Sequence, residues 1–283
     1  MLVNYSSATE FFLVGFPGSK ELHHILFVTF IFLYSVTILG NMVIIITVCA
    51  DKRLQSPMYF FLGHLSVLEI LITSVAIPYM LQGLLLLQSQ IISLSACCAQ
   101  LYLSELALIG MMAVDRYVAV CNPLRYSIIM NNQTCIWMVI VSWVFGFLFQ
   151  ICPVYATCQL TFCKSNLLDH FYCDRGQLLK LSCDNTLFTE FILFLMIPSA
   201  SAQRKAFSTC ASHFAYVVIG YGSCLFLYVK PKQTQAAEYN RVASLLVLVV
   251  TPFLNPFIFT LRNDKFIEAF RDGMKRSYQL LKH

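Results

Sequence analysis

Between Ile25 and Val48 the chain reads ILFVTFIFLYSVTILGNMVIIITV, a run without a single charged residue. Wound as an α-helix it is about 36 Å long, enough to cross a hydrocarbon core of about 30 Å. Similar runs, uncharged or nearly so, follow at Met58–Met80, Ala96–Val114, Ile136–Thr157, Ala206–Val229 and Val242–Leu261. A seventh candidate, Phe191–Ala202, has 12 residues and gives only about 18 Å of helix. Composition agrees with the spans: of 283 residues 58% are hydrophobic and 12% charged, about half the charge of a soluble domain. A soluble chain of this size could not hide 24 Phe and 14 Tyr without large exposed apolar patches. Disordered, coiled-coil, collagen-like and disulfide-rich miniprotein classes are excluded on the same numbers. The fold class expected is an all-α membrane protein.

The charges assign the sides. With the N-terminus outside and seven crossings, the cytoplasmic segments hold twelve basic residues, among them Lys52, Arg53, Arg116, Arg204, Lys205 and Arg262, against five acidic ones. The exoplasmic side holds seven of each, and Glu69 and Glu105 remain inside the membrane. This asymmetry follows the positive-inside tendency, and six crossings would place the six basic residues of the tail outside. Charge asks for seven spans where the length of the fifth argues for six. The domain reading is a single seven-transmembrane-helix bundle over residues 1–283, its fifth helix truncated. Residues 1–24 are exoplasmic and 262–283 form a cytoplasmic tail. No basic, cleavable leader precedes the first span, which serves as its own insertion signal. Asn4-Tyr5-Ser6 is a glycosylation sequon suited to an exoplasmic N-terminus, whereas Asn132-Gln133-Thr134 falls on the other side.

No hydrolase, kinase, phosphate-loop or zinc spacing occurs, so neither an enzyme nor a metal protein is expected, and the basic residues flank membrane spans rather than forming a nucleic-acid patch. Four features carry more. Glu69 and Glu105 sit in mid-span, where carboxylates are costly and usually functional. Asp115-Arg116-Tyr117 closes the third span. Cysteines 158, 163, 173 and 183 crowd one exoplasmic loop, where they can pair among themselves or with Cys97; spacing does not give the connectivity. In the tail, Phe266, Ile267, Phe270 and Met274 recur at helical spacing among Lys265, Arg271, Lys275 and Arg276, a basic amphipathic helix suited to the inner leaflet.

The motifs together resemble those of the odorant receptors, a branch of the rhodopsin-like G-protein-coupled class. They are Gly40-Asn41, Pro57-Met58-Tyr59-Phe60-Phe61-Leu62, the stretch Asp115 to Tyr126, Lys205 to His213, and Pro252 to Phe259 followed by Leu261-Arg262-Asn263. All five stand in the family's order, and the similarity spans nearly the whole chain. The resemblance implies disulfides Cys97–Cys173 and Cys163–Cys183. It implies a sodium or proton site at Glu69 and Glu105, with no other cofactor, and a G-protein switch at Asp115, Arg116 and Tyr117. An odorant pocket would lie between the third, fifth and sixth spans, and would include Tyr102, Ser104, Leu108, Ile219, Tyr221 and Ser223. The partners implied are a small volatile ligand, a stimulatory G protein that raises cyclic AMP, and membrane lipid. The location implied is the plasma membrane.

The departures are specific. Val114 and Phe259 each stand where the family usually has tyrosine. Seventeen residues separate Cys97 from Asp115, about six fewer than the family pattern, and six residues of helix are about 9 Å. Because Glu105 is correctly spaced from Asp115, the shortening falls on the outer half of the third span. Between Cys183 and Lys205 almost all of the fifth span is missing. Two alternatives accompany the receptor reading. One is a degraded or spliced receptor copy that stays inside the cell without signalling. The other is a cation channel or transporter that uses Glu69 and Glu105, a class in which internal repeats are common; none is visible here.

Overall fold

The structure, a computed structural model, describes residues 8–86, 90–104, 129–163, 165–186, 241–242, 244–260 and 263–282. The chain begins with a short strand β1 (Glu10–Leu13) and a long helix α1 (Lys20–Ala50). A 3-10 turn (Lys52–Leu54) leads into α2 (Pro57–Leu86). Strand β2 (Gln90–Ser93) runs directly into α3 (Leu94–Ser104), and α4 spans Asn132–Cys158. Then come β3 (Leu167–Leu168) and the short α5 (Arg175–Leu181). A π-helical stretch (Leu246–Val250) continues as α6 (Thr251–Thr260), and α7 (Asp264–Leu281) forms the tail.

Among the described residues three helices, α1, α2 and α4, are long and apolar enough to cross a membrane. They are inside-out relative to soluble helices. On α1 the buried face carries Phe30, Thr37, Asn41, Ile44 and Thr47, while Ile25, Val28, Phe32, Leu39 and Ile46 face outward. A polar-containing seam within and an apolar exterior suit lipid as the solvent. Helix starts are set by side-chain caps: Ser19 Oγ accepts from Leu22 N at 3.3 Å, and Asn131 Oδ1 from Thr134 N at 2.8 Å. The cap at Ser19 starts α1 five residues before the apolar run. Asn132 of the second sequon is the first residue of α4.

To these helices the structure adds a three-stranded sheet of order β2-β1-β3. Strand β1 pairs antiparallel with β2 (Glu10 opposite Ser93) and parallel with β3 (Phe12 opposite Leu167). Phe11 and Leu13 point inward and are buried with Ile92, Cys97, Leu101, Val154 and Leu168, so the sheet caps the ends of α3 and α4. At the opposite end, Ile44, Leu54, Tyr59 and Leu62 pack with Phe266 and Ala269 of α7. The N-terminal strand and the tail helix therefore lie at opposite ends of α1.

Candidate functional site

Three disulfides fasten the sheet end. Cys97 is joined to Cys173 (Cα–Cα 5.4 Å) and Cys163 to Cys183 (5.9 Å). A third bridge, Cys98–Cys158 (6.2 Å), ties α3 to the end of α4. The cysteine content pointed to bridges in this loop, but no sequence feature singled out this pair. The adjacent Cys97 and Cys98 point to different partners because successive helix residues are about 100° apart. Gln100, also unmarked in the sequence, clamps the same region. Its Nε2 donates to Val75 O of α2 at 3.2 Å, and its Oε1 accepts from Cys173 N at 2.8 Å.

The loop that carries Cys173 is also seated on the seventh span. Asp169 pairs with Arg241, and Tyr172 donates to Ser244 Oγ at 3.3 Å. Phe171 and Tyr172 are buried with Phe30, Met80, Leu248 and Val249. Phe16 stacks on Phe171 (5.0 Å, 7°) and on Phe30 (5.8 Å, 28°). The N-terminal segment, the loop and three helix ends thus form one lid. Asp174 caps α5 through Gln177 N at 3.0 Å. Burial pushes its carboxyl above the ordinary range, although hydrogen bonds and the nearby Lys180 and Arg175 oppose this.

Of the anticipated pocket residues, two are described. Tyr102 donates to Phe147 O of α4 at 2.9 Å, with the two rings 6.3 Å apart. Ser104 Oγ donates to Leu101 O of its own helix at 3.3 Å. Leu108, Ile219, Tyr221 and Ser223 lie outside the described residues, as do Glu105, Asp115, Arg116, Tyr117 and Asn4. Glu69 is buried in α2, 3% exposed. The first, second and seventh spans bury further polar groups. Asn41 Nδ2 donates to Thr37 O at 3.0 Å. Asn41 Oδ1, Ser66 Oγ and both side-chain polar atoms of Asn255 are buried without a hydrogen-bond partner among the described residues.

Contacts at the other end join motifs far apart in sequence. A Cβ on Gly40 would lie 2.8 Å from Pro256 Cγ, so α1 and α6 touch backbone to ring. Tyr59 donates to Asn263 Oδ1 at 2.6 Å, and Asn263 caps α7. Arg53 pairs with Asp51 (2.7 Å) and Asp272 (2.9 Å), with Glu268 at 3.5 Å. The Arg53 side chain and backbone N–H hold the Asp51 carboxyl down at about 2.

The sequence profile of the olfactory receptor family matches residues 30–196. Human olfactory receptor 9A1 is 72% identical over 314 aligned positions covering all of both chains, and human olfactory receptor 9A4 is 67% identical over the same span. The chain belongs to the olfactory receptor family. Mouse olfactory receptor 6E1, at 39% identity over 97% of this chain and 98% of its own, is similar as well. The receptor is therefore a multi-pass plasma-membrane protein built as the family's seven-helix bundle, and not an enzyme. It is also short. An alignment of 314 positions that covers a chain of 283 residues leaves 31 positions where the relative has a residue and this receptor has none. That difference equals in size the loss of about six residues plus one span-length segment of roughly 20–25 residues.

Proposed function

We propose that this receptor binds small volatile molecules between its third, fifth and sixth spans and signals through a stimulatory G protein that raises cyclic AMP. The observation that carries the reading is full-length identity of 72% to a human olfactory receptor. The fold supports it through two fastened ends. A disulfide-stapled lid at one end can hold a ligand entrance, and the tail helix is docked at the other. Binding acts by population shift: a ligand favours the signalling arrangement only by the difference in its affinity for the two states. The N-terminus is assigned to the outside and the tail to the cytoplasm. This fits the separation of β1 and α7 at opposite ends of α1 and the excess of basic residues beside the tail.

Glu69 is assigned, with Glu105, to a sodium or proton site. The donor set suits a hard cation: a carboxylate with the buried oxygens of Asn41, Ser66 and Asn255 on packed helices, and such cations take oxygen ligands. In that role Glu69 supplies the charge, while the amide and hydroxyl groups orient it. A screen of odorant mixtures against cells expressing the full chain, read by cyclic AMP, tests the proposal. A dose-dependent rise that Arg116→Ala abolishes supports it. Surface expression with no response to any mixture counts against it.

The 31-position shortfall favours a second reading, a receptor copy retained inside the cell without signalling. Glycosidase digestion separates the two. A retained chain keeps a glycan at Asn4 that is wholly removable by an enzyme specific for immature glycans, whereas a surface receptor does not.

A further inference from the structure

Beside the lid an open cavity of about 530 Å³ lies between β1, β2 and the ends of α3 and α4, lined by Thr9, Glu10, Ser93, Ser95, Cys98 and Cys158 among others. The disulfide that ties α3 to α4 is therefore part of a cavity wall. Cys98 and Cys158 are half-buried, whereas Cys97 and Cys173 are both 0% exposed. Two bridges start from adjacent residues, and a small molecule in the cavity can reach only one of them. Of the other lining side chains, Thr9, Ser93 and Ser95 carry hydroxyls, Leu94 is apolar, and Glu10 is the one charged side chain among the described residues that line the cavity. A carboxylate beside three hydroxyls favours a cation.

We propose that Cys98–Cys158 is a thiol-exchange site for small aminothiols that enter this cavity. The ammonium group sits against Glu10 and brings the sulfur to the bridge. The ligand's thiolate attacks Sγ of Cys98 or Cys158 in line with the bridge. A new S–S bond forms to the ligand, the Cys98–Cys158 bond breaks, and its electron pair leaves on the other cysteine as a thiolate. A second aminothiol attacks the mixed disulfide and releases the first cysteine. Two aminothiols are thereby oxidised to one disulfide, and the bridge is reduced to two thiols. Attack requires access as well as thiolate, so Cys97–Cys173 stays closed and keeps the loop attached while α3 is released from α4. The site does not depend on ligand binding within the bundle or on G-protein coupling.

The test uses the purified full-length receptor in detergent, with the exposed free thiols Cys49 and Cys152 blocked beforehand. It is exposed briefly to cysteamine or to the anionic mercaptoethanesulfonate, quenched with acid, and mapped by peptide mass spectrometry. The Cys163–Cys183 bridge, whose Cys183 is exposed, serves as the reference for each thiol's intrinsic reactivity. The expected result is a mixed disulfide at Cys98 or Cys158 with Cys97–Cys173 intact. Relative to the reference, cysteamine should be preferred by roughly fivefold, the factor one ion pair in water supplies. Glu10→Gln should abolish that preference and leave the Cys97–Cys173 bridge in place. Three results would overturn the proposal: opening of Cys97–Cys173 as fast as Cys98–Cys158, reaction at the reference bridge alone, or a charge preference that survives Glu10→Gln.

Discussion

Alanine at position 40 places one methyl group between two helices that have no room for it. A Cβ built on Gly40 lies 2.8 Å from Cγ and 2.9 Å from Cβ of Pro256, well inside the ~3.5–4.0 Å at which carbon atoms attract. The obstacle is a proline ring tied to its own backbone, so α1 and α6 must move apart. Overpacking of this kind costs about 1–3 kcal/mol. Alanine recovers about 1 kcal/mol over glycine through helix propensity, which leaves a net loss of roughly 0–2 kcal/mol. Valine adds two more methyl groups and no comparable propensity gain, so Gly40→Val should be clearly worse than Gly40→Ala. Heating the detergent-solubilised receptor and following its loss from the monodisperse fraction ranks the variants. Pro256→Gly removes both crowding atoms, and in that background the effect of Gly40→Ala should improve by at least ~0.5 kcal/mol, the coupling expected of touching residues. Stabilisation of the parent chain by Gly40→Ala to the full propensity gain, with no coupling to position 256, would refute the close approach.

Three further outcomes follow from the same contacts. Tyr59→Phe loses the bond to Asn263 and should cost about 0.5–1.5 kcal/mol, whereas Asn263→Ala also loses the α7 cap, worth about 0.5–2 kcal/mol more; thermal ranking of the two variants checks the order. Asp51 has its carboxyl lowered to about 2, so its ion pair with Arg53 contributes fully above the ordinary carboxylate range near 3.8 and fades as pH falls through about 2. Hydrogen exchange at Lys52–Leu54 should thus be insensitive to protonation of Asp51 at pH 5 to 7 and accelerate only in strong acid. Asp174 runs the opposite way: burial raises its carboxyl, so it favours folding while neutral and that contribution is lost as pH rises through its raised value. Asp174→Asn keeps the capping oxygen and should flatten this pH dependence, while Asp174→Ala should cost about 0.5–2 kcal/mol in acid and less as pH rises through the raised value; urea or heat titrations across pH report both.

Much of the bundle was legible because its rules are local. A run such as Ile25–Val48 declares a span from length and hydropathy alone, and α1 covers it with five extra residues at the start. The motifs were legible as motifs, but not what they touch. That Gly40 meets Pro256, and Tyr59 meets Asn263 across 204 positions, depends on how helices pack, which no local pattern encodes. The sheet was hidden for a related reason. Strands of four and two residues carry too little alternation to register, and β1 exists only because β2 and the loop bring it partners. Cysteine positions could suggest disulfides but not connectivity, and Cys98–Cys158 needed the geometry of two helix ends. For the anticipated pocket, the described Tyr102 is turned to α4, its hydroxyl committed to Phe147 O.

A seven-crossing receptor must have its N-terminus and its tail on opposite sides of the membrane. Epitope tags at the two ends, stained in intact and in permeabilised cells, test it most directly. The N-terminal tag should be seen on intact cells and the C-terminal tag only after permeabilisation. If both tags are exposed on intact cells, the short fifth segment does not cross. Arg116 and Lys205 would then face opposite sides, and coupling of this chain to a G protein would be contradicted.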